Sequence, residues 1–236
     1  MIDVDDEIKK TIANRAYKLD FETVYKLVED HPFILAGGSL CGDEVHDYDV
    51  YPDEYSKFGF DDLERKVGEM PDKAKIVFRS PNAITVKLIE KDQIVQFCKY
   101  SKPSLEELVK SFDFSHIQVG IGFRGNGCGP FYEHVFYTDA FVLANVTRRT
   151  VYTGSEYPLS SLMRLMKYNK RGKLTRVETI RAAASILKDV IDRGYDDYAD
   201  FKKQLDAVDL SIPDMKEASD LYASFFEKGL VGKEKE

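Results

Sequence analysis

The chain has 236 residues and a formal net charge of −7, from 34 Lys and Arg residues against 41 Asp and Glu residues. With 43% hydrophobic and 32% charged residues, its composition is that of a folded protein and excludes intrinsic disorder. No apolar run reaches the roughly 18 to 20 residues of a membrane span, and the acidic N-terminus does not resemble a signal peptide. The three cysteines include no C-x-x-C pair, which argues against a disulfide framework or a zinc site. We therefore expect a cytoplasmic protein with no membrane partner.

The first half of the chain predicts helices followed by strands. Two helices are expected within the first 30 residues, and Asp20 is placed to cap the second of them. The elements predicted next are a short buried strand at 33–36, an alternating strand at 46–51, a surface helix at 60–70, and strands at 75–79, 83–89 and 93–100. The last two strands are predicted to form a hairpin.

The second half turns from strand to helix. Ser104 and Glu107 form a capping box that opens a short helix, and residues 113–138 predict a hairpin with a glycine-rich tip. From residue 139 onward the pattern is helical. A second capping box begins at Thr175 and precedes an apolar stripe made of Val177, Ile180, Ala184, Leu187 and Ile191. Strands first and helices afterwards predict an α+β fold with a helical C-terminal lobe.

Two aspartates lie on one face of the second predicted strand. Side chains two residues apart in a strand point the same way, so Asp47 and Asp49 project together while Tyr48 and Val50 face the core. Two neighbouring carboxylates repel each other unless a cation lies between them. Mg²⁺ usually takes one or two carboxylates together with substrate phosphates, so the pair predicts a site for Mg²⁺ or Mn²⁺.

A glycine turn precedes this strand. Gly37 and Gly38 follow the buried strand at 33–36 and allow backbone amides to approach a ligand closely, and Ser39 adds a hydroxyl donor. A Gly-Gly-Ser turn alone is usually only a turn, and an isolated Asp-x-Asp pair is usually a solvated strand face. Their occurrence on successive strands is more specific and predicts phosphoryl transfer.

These residues resemble a known family. Gly-Gly-Ser, a short spacer and Asp-hydrophobic-Asp-hydrophobic resemble the DNA polymerase beta-like nucleotidyltransferase superfamily. More narrowly, the chain resembles nucleotidyltransferase-like proteins of bacteriophages and large viruses, and the host cytoplasm is then its expected location. The segments that carry this narrower resemblance are 82–85, 94–96, 111–114 and 157–172. The resemblance implies a mixed β-sheet with flanking helices over residues 1–140, followed by a helical lobe over 141–236.

The resemblance also implies a third carboxylate. Asp113, between Phe112 and Phe114, is the best match, and it would join Asp47 and Asp49 as a catalytic and metal-binding residue. In many members of the superfamily the third acid lies on the strand beside the Asp-x-Asp strand. In this chain Gln96 is the alternative occupant of that place, in which case the enzyme would be impaired or altered.

Basic residues cluster between positions 164 and 176, a stretch with no acid. On a helix, Arg164, Lys167 and Arg171 would share one face, and a solvated face is the alternative interpretation. In an acidic protein with a predicted phosphate site, we expect these three residues to contact a nucleoside triphosphate or an RNA backbone. The G-x-G-x-x-G pattern at 120–125 lacks a following helix and is predicted to be a hairpin tip.

The sequence therefore predicts a Mg²⁺- or Mn²⁺-dependent nucleotidyltransferase that transfers a nucleoside monophosphate from a triphosphate such as ATP to a hydroxyl, releasing pyrophosphate. Gly37, Gly38 and Ser39 would hold the phosphates. RNA is the favoured acceptor. The alternatives are a non-catalytic nucleotide- or partner-binding protein on the same scaffold and an enzyme that adds AMP to a protein.

Overall fold

The computed structural model describes residues 4–29, 31–42, 45, 47–53, 59–100, 102–125, 130–194 and 199–200. The helices are α1 (Val4–Ala16), α2 (Phe21–Leu27), α3 (Phe60–Glu69), α4 (Leu105–Lys110), α5 (Asp139–Thr147), α6 (Pro158–Lys170) and α7 (Arg176–Arg193). The strands are β1 (Phe33–Ala36), β2 (Tyr48–Pro52), β3 (Ala74–Arg79), β4 (Ala83–Leu88), β5 (Gln93–Cys98), β6 (Val119–Gly125) and β7 (Pro130–Tyr137). None of the helices within these ranges is long and apolar enough to cross a membrane.

The chain divides into two compact units, residues 1–147 and 148–236. The sequence places the boundary at residue 140, near the start of α5. In the structure α5 belongs to the first unit, where Phe141 is buried in the main hydrophobic core. Among the described residues, all strands belong to the first unit and the second contains α6 and α7, so the fold is α+β with a helical C-terminal region, as expected.

The seven strands form one mixed sheet in the order β3-β4-β5-β2-β1-β6-β7. Neighbouring strands are antiparallel except β2 and β5, which are parallel. A parallel pair requires a crossover connection, and here the chain passes through α3, β3 and β4 between the two strands. This crossover brings β5 beside β2 at the centre of the sheet.

One face of the sheet packs against the N-terminal helices. Alternate strand residues, among them Leu35, Val50 and Phe97, join apolar residues of α1, α2 and α3 in one core cluster. The Asp20 carboxylate accepts hydrogen bonds from the Thr23 amide and hydroxyl and caps α2, as its position in the sequence predicts. This face therefore carries the main hydrophobic core.

On the opposite face, α4 covers the β1–β6–β7 half of the sheet. Ser104 caps α4 by accepting a hydrogen bond from the Glu107 amide. Leu105 and Val109 of this helix form a second apolar cluster with Ile34 and Ala36 of β1. The helix can approach this closely because Gly120 of β6, which pairs with Ala36, has no side chain.

Gly120→Ala is expected to destabilise the first unit. A Cβ at Gly120 would lie 2.6 Å from Leu105 Cδ1 and 2.9 Å from Val109 Cγ2, so α4 would have to shift. Such overpacking typically raises the free energy of the native state by about 1–3 kcal/mol. Thermal unfolding measures the effect. Gly122→Ala on the same strand is the matched control, because its Cβ would meet only His134 atoms at 3.9 Å; equal melting temperatures for the two variants would contradict the packing of α4.

The segment before β6 differs from the sequence-based expectation. The hairpin begins at Val119 rather than near Asp113, because residues Ser115–Ile117 form a short 3-10 helix. His116 lies in this 3-10 helix and is buried. Periodicity alone did not reveal the 3-10 turn, since a three-residue element is too short to show a repeat.

The second unit contains α6 and α7, which pack against each other. Thr175 caps α7 through the predicted capping box with Glu178. The residues of the predicted apolar stripe (Val177, Ile180, Ala184, Leu187 and Ile191) are exposed in the structure. The face of α7 that is buried instead carries Ala182 and Ile186. A heptad-like pattern identifies an apolar face but not the neighbour that covers it.

Candidate phosphate and metal site

The Asp-x-Asp pair lies at the start of β2, beside the end of β1. In the antiparallel pairing of these strands, Ala36 is the direct partner of Asp49. Asp47 immediately precedes β2, and both aspartates are partly exposed, whereas Tyr48 and Val50 are buried in the core. Burial raises the pKa of the Tyr48 hydroxyl, which therefore stays neutral. The alternation thus presents both carboxylates on the face away from α1 and α2.

The glycine turn follows β1 directly and comes close to one of these carboxylates. Gly37 has φ +87° and ψ −141°, a conformation that L side chains rarely adopt, and a Cβ at this position would lie 3.5 Å from Asp49 Oδ2. The ring of Phe112 lies 4.0 Å from the same point. The turn, the carboxylate and the ring therefore meet at Gly37, and only glycine fits there without strain.

Contacts from two other elements hold this turn in place. Residues Gly38–Leu40 form a 3-10 turn, and Arg15 of α1 donates a hydrogen bond from Nη1 to the Leu40 carbonyl at 2.9 Å. The Gly37 amide donates to the Val119 carbonyl of β6 at 2.9 Å. The turn is thus fixed from the helix layer on one side and from the sheet on the other, which preorganises it for a ligand.

Ser39 has a buried hydroxyl without a partner. The residue is 2% exposed, and its Oγ makes no hydrogen bond within the described ranges. Buried side-chain polar atoms are nearly always hydrogen-bonded, so an exception requires an explanation. One explanation is that the Ser39 hydroxyl donates a hydrogen bond to a phosphate oxygen when a ligand is bound, because the turn lies next to a carboxylate pair.

Asp113 lies in the loop after α4 rather than on a strand. It is 3% exposed. The adjacent Phe112 carbonyl accepts a hydrogen bond from Gln118 Nε2 at 2.9 Å, while Gln118 Oε1 accepts one from the Thr138 hydroxyl at 2.8 Å. Phe112 thereby links the Asp113 loop to the glycine turn, since its ring is the one that lies beside Gly37.

Gln96 occupies the position beside the Asp-x-Asp strand. In the parallel pairing of β2 and β5, Gln96 is the direct partner of Asp49. On the far side of Gln96, its partner in β4 is Thr85, which is 4% exposed and whose hydroxyl makes no hydrogen bond among the described residues. Sequence reasoning did not select Thr85. The available signal is a polar residue at the centre of the otherwise apolar run Ala83–Val86.

No group of three or more His, Cys, Asp or Glu side chains within the described part of the chain is arranged to hold one metal ion. Asp47, Asp49 and Asp113, the predicted ligands, therefore do not form a ready-made three-residue site in this structure. Asp47 and Asp49 are both partly exposed, on either side of the buried Tyr48. A metal ion bound here would need oxygen atoms of phosphate, water or both to complete its coordination shell. Mg²⁺ in proteins is usually coordinated in this way.

The basic residues belong to the second unit. Arg164 and Lys167 lie on α6 and are half-buried, and Arg171 is the exposed residue that ends this helix. Arg164 and Lys167 therefore lie three residues apart on one helix, as predicted, whereas Arg171 lies at the end of that helix. In the first unit, β6 is followed by β7 and not by a helix, so a hairpin is confirmed, but the glycine pattern at 120–125 lies in strand β6 and not at the tip. Residues 126–129 at its tip lie outside the described ranges.

Comparison of the whole chain with known proteins gives likenesses in structure only. No family model and no curated protein sequence matches the chain. Among solved structures, a Thermotoga maritima CCA-adding enzyme complexed with tRNA is similar over 83% of this chain at 11% identity, with a TM-score of 0.45. A tRNA-processing enzyme in its apo form (82% covered, 15% identity, TM-score 0.46) and a CCA-adding enzyme with ATP (83% covered, 11% identity, TM-score 0.47) are similar too.

The likeness is one of fold. The chain spans about half the length of these structures, at 48% to 49%, and the narrower resemblance to viral proteins stays a prediction.

Proposed function

We propose that the protein is a cytoplasmic, Mg²⁺- or Mn²⁺-dependent nucleotidyltransferase that transfers a nucleoside monophosphate to a hydroxyl acceptor. The observation that carries this proposal is the pairing of Ala36 with Asp49, which places Asp49 Oδ2 3.5 Å from the point that a Cβ of Gly37 would occupy. A glycine turn beside a carboxylate pair supplies the parts that metal-assisted phosphoryl transfer requires.

The chain's own groups in the turn would bind the triphosphate. Gly37 and Gly38 carry no side chain, so phosphate oxygens can approach the backbone amides closely. The buried Ser39 hydroxyl would donate the hydrogen bond that it does not make in the structure. Arg164, Lys167 and Arg171 are proposed to neutralise phosphate charge. Because Arg15 and Val119 already fix the turn, little ordering would be needed on binding.

The carboxylate pair fits a hard divalent cation. Asp47 and Asp49 would hold Mg²⁺ or Mn²⁺ from the partly exposed face of β2, and Asp113 is proposed as the third ligand. When bound, the metal would supply charge neutralisation and polarisation at the reacting phosphate. In the reaction, the acceptor oxygen forms a bond to the α-phosphorus, the bond from that phosphorus to the pyrophosphate oxygen breaks, and the acceptor proton is released.

Nucleoside triphosphate is expected to bind with Mg²⁺ or Mn²⁺ and to bind poorly in excess chelator. The reason is that two carboxylates beside a triphosphate repel it until a cation lies between them. Calorimetric titration of ATP and GTP, with and without metal, measures this dependence. Equal affinity in both conditions would contradict a site in which metal joins carboxylate to phosphate.

A non-catalytic nucleotide-binding protein is the second candidate, and one observation favours it. The residue paired with Asp49 on the neighbouring strand is the neutral Gln96, and Asp113 is buried in a loop. Incubation with α-labelled triphosphates, Mg²⁺ and in turn RNA, protein or small-molecule hydroxyls separates the candidates. Label that appears in an acceptor establishes transfer, whereas metal-dependent binding without any labelled product would establish the binding protein.

If the basic stretch follows a polynucleotide backbone, RNA binding is expected to weaken steeply with salt. The logarithmic slope should be about −0.7 per phosphate contacted for a single strand. Replacing Lys170, Lys173 and Arg176 by Ala would remove up to three contacts and flatten the slope by roughly 2. A triple variant at Lys10, Lys18 and Lys91, which lie in the first unit, is the charge-matched control. Identical salt curves for the wild type and the first variant would exclude this stretch from RNA binding.

A further inference from the structure

Two neighbouring residues at the start of β6 connect this strand to the glycine turn. The Val119 carbonyl accepts a hydrogen bond from the Gly37 amide at 2.9 Å. Gln118, immediately before it, donates from Nε2 to the Phe112 carbonyl at 2.9 Å. The ring of Phe112 lies 4.0 Å from the point that a Cβ of Gly37 would occupy. The start of β6 therefore reaches the turn by two routes, one through a backbone bond and the other through Phe112.

The Gln118 side chain uses both ends of its amide. It is 4% exposed, and its Oε1 accepts a hydrogen bond from the Thr138 hydroxyl at 2.8 Å while its Nε2 donates to the Phe112 carbonyl. An ionised carboxylate cannot donate, and an apolar side chain can do neither. Among uncharged side chains of this length, only the amide of glutamine joins a hydroxyl on one side to a carbonyl on the other.

Gln118 is itself anchored independently of Phe112. Its backbone amide donates to the Ser115 carbonyl and its backbone carbonyl accepts from the Thr138 amide, both at 3.2 Å. The Thr138 hydroxyl in turn accepts a hydrogen bond from the Phe141 amide at 3.1 Å, at the start of α5. The side chain that holds Phe112 therefore extends from a segment that the 3-10 turn and the start of α5 keep in place.

Phe112 lies where a small displacement would alter the proposed site. It is a partly buried residue in the loop after α4, its ring adjoins Gly37, and it immediately precedes Asp113, the proposed third metal ligand. Residues behind a metal site orient the groups that bind the ligand, and their loss typically reduces metal affinity about 10- to 100-fold. Loss of the Gln118 bond would allow the loop, and with it the ring and Asp113, to shift away from the turn.

We propose that Gln118 is a positioning residue for the triphosphate site, and that it acts by holding Phe112 and Asp113 in the geometry that binds metal and triphosphate. This inference rests on the proposed function. Gln118 acts through Phe112 and not by contact with the ligand. Its loss should therefore weaken triphosphate binding by the folded protein, whereas a residue that serves only the fold would change the melting temperature alone.

The test is calorimetric titration of the full chain with ATP and Mg²⁺, at a temperature well below Tm. Gln118→Leu removes both side-chain hydrogen bonds at similar volume, and we expect affinity to fall about tenfold. Thr23→Val is the matched control. Thr23 is also buried, at 3% exposed, and its hydroxyl donates to Asp20 Oδ2 at 2.8 Å on the helix side of the sheet. Thr23→Val should lower Tm and keep wild-type affinity.

A second pair of variants, at Thr138, tests the same chain of hydrogen bonds in case Gln118→Leu does not fold. Thr138→Ser keeps the hydroxyl and should keep wild-type affinity. Thr138→Asp keeps an acceptor that caps α5, but an ionised carboxylate cannot donate to Gln118 Oε1. We therefore expect Thr138→Asp to fold and to bind ATP with Mg²⁺ about fivefold more weakly than Thr138→Ser, as the loss of one hydrogen bond predicts.

The outcomes separate the positioning role from the proposed function. Weakened binding in Gln118→Leu and Thr138→Asp, with wild-type affinity in Thr138→Ser and Thr23→Val, supports the positioning role. Wild-type affinity in folded Gln118→Leu or Thr138→Asp, or equal losses in the two Thr138 variants, would overturn it and leave the nucleotidyltransferase proposal standing. Absence of metal-dependent triphosphate binding by the wild type would instead remove the proposed function, and the positioning role with it.

Discussion

Asp49→Asn is expected to abolish nucleotide transfer while the protein stays folded. The substitution keeps the shape of the side chain and removes the charge that lies beside the glycine turn. Loss of one preorganised electrostatic group at a reacting phosphate typically reduces turnover by about 10²- to 10³-fold, and loss of a metal ligand would add to this. Asp47→Ala should act in the same direction, because Asp47 shares the face of Asp49.

The stability of these variants is part of the prediction. Asp47 and Asp49 are partly exposed like charges two residues apart, so Asp47→Ala should relieve repulsion, and its Tm should hold or rise. Asp72→Asn is the matched control, since Asp72 is an exposed carboxylate in the turn between α3 and β3 and its loss should change neither turnover nor Tm. Normal turnover of purified Asp49→Asn would remove the active-site assignment, whichever acceptor is used.

The elements around the site follow from local rules that a single sequence makes visible. Alternation places Tyr48 and Val50 in the core and leaves Asp47 and Asp49 on the other face, because side chains in a strand repeat every two residues. Helix starts at Asp20, Ser104 and Thr175 follow from side chains that satisfy free backbone amides. These parts could be predicted because their causes lie within a few residues of their effects.

The neighbours of the site depend on the order of the strands, which local patterns do not determine. Gln96 lies beside Asp49 only because β5 returns parallel to β2 after a crossover through α3, β3 and β4. The sequence left Gln96 and Asp113 as alternatives for one position. The structure pairs Gln96 with Asp49 in the sheet and places Asp113 in a loop, so the two residues occupy different places.

The apolar face of α7 shows the same limit in the second unit. A spacing of three and four residues correctly indicates a helix with one apolar stripe. It does not tell which face is covered, and the buried residues of α7 are Ala182 and Ile186. Contacts between elements that are distant in sequence decide such choices, just as they decide which residues border the Asp-x-Asp strand.

The glycine turn allows its two glycines to be tested against each other, and the pair separates folding from phosphate binding. Gly37→Ala introduces a side chain at φ +87°, beside Asp49 and Phe112. Backbone strain of this kind raises the free energy of the native state by about 1–3 kcal/mol. For a protein of this size, each kcal/mol lowers Tm by roughly 2–4 °C. We expect Gly37→Ala to lose both stability and triphosphate affinity.

Gly38→Ala should lose triphosphate affinity alone. Its Cβ would meet no atom within 4 Å, so thermal unfolding should match that of the wild type. The methyl group would nevertheless occupy the space through which a phosphate reaches the turn amides, and calorimetry with ATP and Mg²⁺ should show affinity reduced by about tenfold or more, as for a lost charge-assisted hydrogen bond. Wild-type affinity in Gly38→Ala would mean that no phosphate approaches this turn. In that case the shape of Gly37 would serve only to fit the chain around Asp49 and Phe112, and the carboxylate pair would need a different partner.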